Sequence, residues 1–148
     1  MANVIRIRGT YGRPDEAVAG AAGIYPGMLL KKNSSGEAVI HDDEGGFSER
    51  MVAVENALLG GTTTTVYTSG EALQYVMALP GEELMMLLED EQNAIIGSQL
   101  ISAGNGKLKL VGDLESGEVT DQIIAEAMEA QDLTGSNTSD TLTKVRML

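Results

Sequence analysis

From residue 26 onward, short apolar stretches alternate with clusters of Gly, Asn, Asp and Ser, the punctuation of strands joined by tight turns rather than of helices. The pattern predicts strands over 28–32, 38–41, 51–56, 63–68, 73–78, 84–88, 98–102, 107–111, 123–130 and 141–147. Their spacing is that of a small barrel or sandwich. Between Leu100-Ile101 and Leu108-Leu110 stands Gly104-Asn105-Gly106, whose residues accept a left-handed backbone at little steric cost and so mark a tight hairpin. Over 118–131 the composition favours a helix, with Ile123, Ile124, Ala127 and Met128 near helical spacing, so helix competes with strand there.

An internal repeat decides for the strand. Gly27 and Leu30, followed by Gly36, recur as Gly97 and Leu100, followed by Gly106, at an offset of 70. Farther on, Ala53-Val54-Glu55 matches Ala127-Met128-Glu129 at 74, and Thr65-Val66 matches Lys144-Val145 at 79. Two halves of this kind are expected to close one barrel. Because 51–56 is apolar and β-branched, its counterpart near Ala127 is read as strand too.

Residues 1–24 differ in kind. Between Tyr11 and Ile24 the chain is mostly Gly, Ala and charge, with too little bulk for a core strand, so an extended arm over 1–24 is expected to precede a β-barrel domain over 25–148. Within it, Asn3 to Arg8 alternates, placing Ile5 and Ile7 on one face and Val4, Arg6 and Arg8 on the other. That pattern suits a strand added to the edge of another sheet, or to the chain's own barrel.

Composition narrows the functional classes. The chain has 148 residues, one domain's length, and no cysteine, which removes disulfides, thiolate nucleophiles and thiolate metal sites. Ten Lys and Arg stand against 22 Asp and Glu, a net charge of -12, so an overall attraction to nucleic-acid phosphates is not expected. The charge is uneven. Residues 1–32 hold Arg6, Arg8, Arg13, Lys31 and Lys32 against Asp15 and Glu16, a balance of +3, which leaves -15 for the rest. No apolar run exceeds five residues, far short of the roughly 20 needed for a transmembrane helix. The N-terminus offers no apolar core of a signal peptide, so synthesis and retention in the cytoplasm of the producing cell is the expectation.

Candidate chemistry is sparse. His41, followed by Asp42, Asp43 and Glu44, could serve a general base or weak oxygen-ligand cation site, but the acids run into Gly45-Gly46 and lack the alternating ligand positions of a calcium loop. The cluster is read as a solvated turn, with no catalytic residue, metal or cofactor expected. Leu84, Met85, Met86, Leu87 and Leu88 cannot all face inward from a strand with one wet face; they are candidates for a subunit contact, or for a strand buried on both faces.

The stretches Tyr25-Pro26-Gly27-Met28-Leu29-Leu30, Gly36 to Ile40, Met51 to Ala57 and Thr62 to Gly70 resemble the lambda-type head decoration proteins of tailed bacteriophages. The second half, with Gly97 to Leu100, Gly106 to Leu110, Ala127-Met128-Glu129 and the terminal Lys144 to Leu148, is similar to the wider group of phage capsid cement proteins. The chain departs from the lambda protein in a longer second half and a different N-terminal segment. The resemblance implies a β-tulip-like barrel with at most one or two short helices, a homotrimer at local three-fold positions on the outer capsid surface of the virion, and no catalysis. Its partner would be the major capsid protein, met by the arm through Asn3, Val4, Ile5, Arg6, Ile7 and Arg8. An alternative of another class is a carbohydrate-binding or fibre-type β module, against which stands the scarcity of aromatic platforms, Phe47 and Tyr11, Tyr25, Tyr67 and Tyr75 only.

Overall fold

The computed structural model describes residues 4–9, 14–112 and 122–148. The strands are β1 (Arg6–Arg8), β2 (Asp15–Val18), β3 (Leu29–Lys32), β4 (Ala38–Ile40), β5 (Met51–Ala53), β6 (Ala72–Met77), β7 (Glu83–Leu88), β8 (Asn93–Ala94), β9 (Gln99–Ser102), β10 (Leu108–Leu110), β11 (Ala125–Ala127), β12 (Gln131–Asp132) and β13 (Thr141–Met147). A single 3-10 turn, Ala57–Leu59, is the helical structure among the described residues. The protein is mainly β, and its second half is a small closed barrel of five strands, β7-β10-β9-β11-β13, with β13 returning to β7.

The halves do not combine into one barrel. Each builds its own five-stranded sheet, and the first, β2-β6-β5-β3-β4, repeats the strand order of the second. The registers repeat as well: Leu30 faces Ile40 as Leu100 faces Leu110, and Ala53 faces Tyr75 as Ala127 faces Val145. One parallel bridge, Ala19 to Ala38, joins the outer strands of the first sheet, and Leu88 to Leu108 does the same in the second. Even loop bonds recur, since Gly27 N–H donates to Ala53 O and Gly97 N–H to Ala127 O, each at 2.8 Å. The duplication therefore holds at offsets of 70 and 74, while the match of Thr65-Val66 to Lys144-Val145 does not. The residue opposite Ala53 is Tyr75, 70 positions before Val145.

Alternation explains the two cores. Leu30, Met51, Ala53, Leu73 and Tyr75 point into the first sheet with Ile24 and Tyr67. Their neighbours Leu29, Val52 and Val76 point the other way and join Leu84, Met86, Leu88, Leu100, Leu108, Val145 and Met147 in the second core. The first sheet is thus buried on both faces along β3, β5 and β6, which is why Met51-Val52-Ala53 reads as an unbroken apolar run.

Most predicted strands are present, and three differences have physical causes. In place of a strand over 63–68, residues 62–65 form a turn and Tyr67 makes a single antiparallel bridge to Ile24: Thr65 N–H donates to Thr62 O, and the Thr62 hydroxyl lies 3.1 Å from those of Thr64 and Thr65, so the side chains compete with a ladder. The strand expected over 123–130 is present but limited to β11, held between β9 and β13, because the chain bends at 128–129 to pair β12 with β8; residues 118–121 lie outside the described residues.

The third difference is the arm, whose described parts are built into the chain's own sheets. β1 pairs with β7 and β2 with β6, and Ile5, at 0% exposure, belongs to the second core. The reason is an open edge. β13 covers one side of β7 for its whole length, and on the other side Met85 N–H donates to Ile5 O, Leu87 N–H to Gly27 O and Glu89 N–H to Leu108 O. Only the last bond comes from a strand of the barrel. Without β1 the beginning of β7 would keep a bare edge, and Ile5 would leave a hole in the core.

Burial separates the two isoleucines of β1. Ile5→Ala should lower stability by about 2–5 kcal/mol in urea unfolding, while Ile7→Ala, exposed, should change it by no more than about 0.5 kcal/mol. Equal effects would contradict the placement of β1.

Candidate functional site

A bulge in β1 breaks the expected two-faced alternation. Arg6 lies opposite Leu84 and Arg8 opposite Glu83, two residues against one, so Ile5 points into the core while Ile7 turns outward with Val4 and Arg8. Asn3 lies outside the described residues. The outward side chains of this segment are therefore Val4, Ile7 and Arg8, and Ile5 is committed to its own fold.

The strip of five apolar residues is internal. Leu84, Met86 and Leu88 fill the barrel, and of the half-buried side chains on the opposite face of β7, Leu87 packs against the first core and Met85 against the second. The proximity of the two sheets accounts for the continuous apolar run, so the subunit-contact candidates Leu84, Met85, Met86, Leu87 and Leu88 form an intramolecular boundary.

His41 is also committed. Its ring is buried between the halves, with Nε2 2.8 Å from Phe47 O and Nδ1 2.8 Å from Ser102 Oγ. A carbonyl can only accept, so Nε2 bears the proton toward Phe47 and Nδ1 accepts from the Ser102 hydroxyl. Ser102 has no exposed surface and its oxygen also accepts Gly104 N–H, whereas the His41 ring borders an open recess that Lys31, Lys32, Asp43, Phe47 and Glu49 also line. The following acids turn to lysines: Asp42 pairs with Lys31 and Glu44 with Lys109. The hydrogen bond from Lys31 holds the Asp42 carboxyl below the usual range. Among the described residues, no three His, Asp or Glu side chains gather at metal-binding spacing.

The molecule instead exposes apolar loop tips. Leu58 and Leu59, on the 3-10 turn, are 87% and 82% exposed, held outward by Gly60 in a left-handed conformation (φ 76°). A groove of about 340 Å³ beside them is lined by Arg6, Pro14, Glu55, Ala57, Leu58 and Gln74. β1 is tied to this loop directly, since Ile5 N–H donates to the Glu55 carboxylate at 3.1 Å. Two exposed leucines thus stand beside a groove lined by Arg6 and Glu55, on a body of net charge -12. Sequence reading brought out Arg6 and missed Leu58 and Leu59. Their only local signal is an apolar pair between Asn56 and Gly60-Gly61 with no room for a strand.

An ion-pair cluster fastens the same edge of the barrel. Glu83, buried, lies 3.1 Å from Lys144 Nζ and 3.7 Å from Arg146 Nη2, and Arg146 also meets Glu126 at 3.1 Å. The hydrogen bond from Lys144, with the positive charges of Lys144, Arg8 and Arg146, outweighs desolvation and lowers the Glu83 pKa. The cluster thus joins β1, β7, β11 and β13.

Comparison with models of protein families gave no match, and comparison with curated proteins gave none.

Since the Glu83 pKa is depressed in the folded protein, its contribution to stability is complete above the ordinary value of 4.5 and is lost as pH falls through the lowered value. Glu83→Gln should therefore lower the melting temperature at neutral pH, and the gap from the parent protein should close on acidification below 4.5. A gap independent of pH would assign the loss to packing alone.

Proposed function

We propose that this chain is a structural binding module that coats an assembled protein shell, in the manner of the phage head decoration proteins it resembles. On this reading it sits on the outer capsid surface of a tailed-phage virion as a homotrimer, binds the major capsid protein and stabilises the shell without catalysis. The observation that supports it is the exposed Leu58-Leu59 tip beside the Arg6 groove. Its chemistry suits a shallow apolar pocket rimmed by acids on a protein surface: the leucines desolvate, and Arg6 and Arg8 steer the approach.

The structure changes the mode of attachment expected from sequence. A strand donated to the shell would have to leave β7 and uncover Ile5. Gripping by the outer face of β1 and the 3-10 turn needs no such opening, and several copies on one rigid assembly would raise affinity through effective concentration. The carbohydrate alternative has one observation in its favour: Phe47 is exposed over a recess lined by Lys31, Lys32, Asp43 and Glu49, a platform on which a sugar ring could stack.

Pelleting with purified phage heads tests the proposal. The double substitution Leu58→Asp and Leu59→Asp should leave the melting temperature nearly unchanged and weaken co-sedimentation by at least about tenfold, an anchor-sized loss. Arg6→Ala should mainly flatten the dependence of binding on salt. Head binding unaffected by the leucine pair would move the contact elsewhere, and glycan binding lost in Phe47→Ala would favour the alternative.

A further inference from the structure

The duplicated turn that joins the two halves occurs once covered and once bare. In the first half Met28 N–H donates to Tyr25 O at 3.1 Å, and in the second Ser98 N–H donates to Ile95 O at 3.0 Å. The central glycines match too, Gly27 at φ +90° and Gly97 at φ +88°. Their surroundings do not. Pro26 and Gly27 are buried, and a Cβ at Gly27 would lie 2.5 Å from Leu142 Cδ2 and 3.2 Å from Met85 O, because this turn seats on the outer edge of β7. A Cβ at Gly97 would meet nothing within 4 Å, and Ile95 and Ile96 are 65% and 69% exposed.

The edge that receives the turn is duplicated as well. Ala17 faces Leu73 in the first half as Met86 faces Thr143 in the second, so Glu16 and Val18 of β2 occupy the places of Met85 and Leu87 of β7. Ala19 N–H donates to Glu71 O within the first sheet and Gly20 N–H points away to Ala38 O, so by alternation the Glu16 and Val18 amides also face outward. β2 is the end strand there, Val18 is 47% exposed, and Ala72, the counterpart of Leu142, is exposed. Among the described residues, each chain thus presents one unfilled turn and one unfilled edge of the kinds that fit together inside it.

We propose that the turn Ile95-Ile96-Gly97 of one copy seats on the β2 edge of a second copy, with Gly97 O accepting Val18 N–H as Gly27 O accepts Leu87 N–H. The contact joins two different surfaces, so it is head-to-tail and builds a ring if its rotation closes and a filament if it does not. It is smaller than the internal contact it copies, because β1 has no second counterpart among the described residues and Glu16 replaces Met85. It stands on the duplication alone and holds whether or not the shell-binding reading does.

Sedimentation velocity of the full chain, without any shell, tests it. The parent protein should associate with rising concentration, and Val18→Glu or Ile96→Glu should each weaken this by more than about tenfold. Mixed in equal amounts, the two variants should form a 1:1 pair and nothing larger, since each keeps the surface the other has lost. Because the chain has no cysteine, Val18→Cys and Ile96→Cys chains can also be mixed and oxidised, and disulfides between unlike chains should predominate. A parent protein monomeric up to about 1 mM, association indifferent to both substitutions, or disulfides only between like chains would each overturn the proposal.

Discussion

The outer edge of β7 is the constraint on which the rest of the molecule depends. Three of its amides, at Met85, Leu87 and Glu89, point away from β13 and must find acceptors, since a buried amide left without one costs about 1–3 kcal/mol. No single strand supplies them. Ile5, Gly27 and Leu108 do, from the N-terminal strand, the turn before β3 and the partner strand of the barrel. One edge therefore fixes the position of β1, holds the first half against the second and closes the barrel. Gly27 is needed where it is because the approach leaves no space for a Cβ between Leu142 and the Met85 carbonyl.

The same backbone plan serves both halves, and the side chains decide what each edge becomes. Met85, Leu87 and Leu142 make an apolar seat on β7 and β13, whereas Glu16, Val18 and Ala72 leave the corresponding seat in the first half shallow and partly charged. The charge also blunts an edge that would otherwise invite indiscriminate strand pairing. Two copies of one pattern have thus diverged into an interior surface and an exterior one with little change in register.

How far this was legible in the sequence follows from where apolar residues are spent. Most strands from 29–32 to 141–147, though not the two-residue β8 and β12, could be read because burial on one or both faces writes a regular pattern, and Gly104-Asn105-Gly106 marks its hairpin because the turn demands left-handed backbone, φ 79° at Gly104 and 80° at Gly106. β2 was not legible: an edge strand reading Asp-Glu-Ala-Val buries only the small Ala17 side chain in part. The bulge in β1 is set by its partner and so hides which of Ile5 and Ile7 faces inward. The repeat was visible, but whether two halves share one barrel or build a five-stranded sheet each depends on Ala19 meeting Ala38 and Leu88 meeting Leu108, contacts between distant residues with no local signature. The surface tip at Leu58-Leu59 escaped notice because an apolar pair in isolation looks like core.

β7 lies between strands from the two ends of the chain, and both run antiparallel to it. A pull applied at residue 4 and at residue 148 is therefore directed along β7 in opposite senses, in shear. Hydrogen bonds perpendicular to the strands are then loaded together and cannot open one after another as in a zipper. The arrangement that completes the barrel is also the one that best resists mechanical tension between its ends.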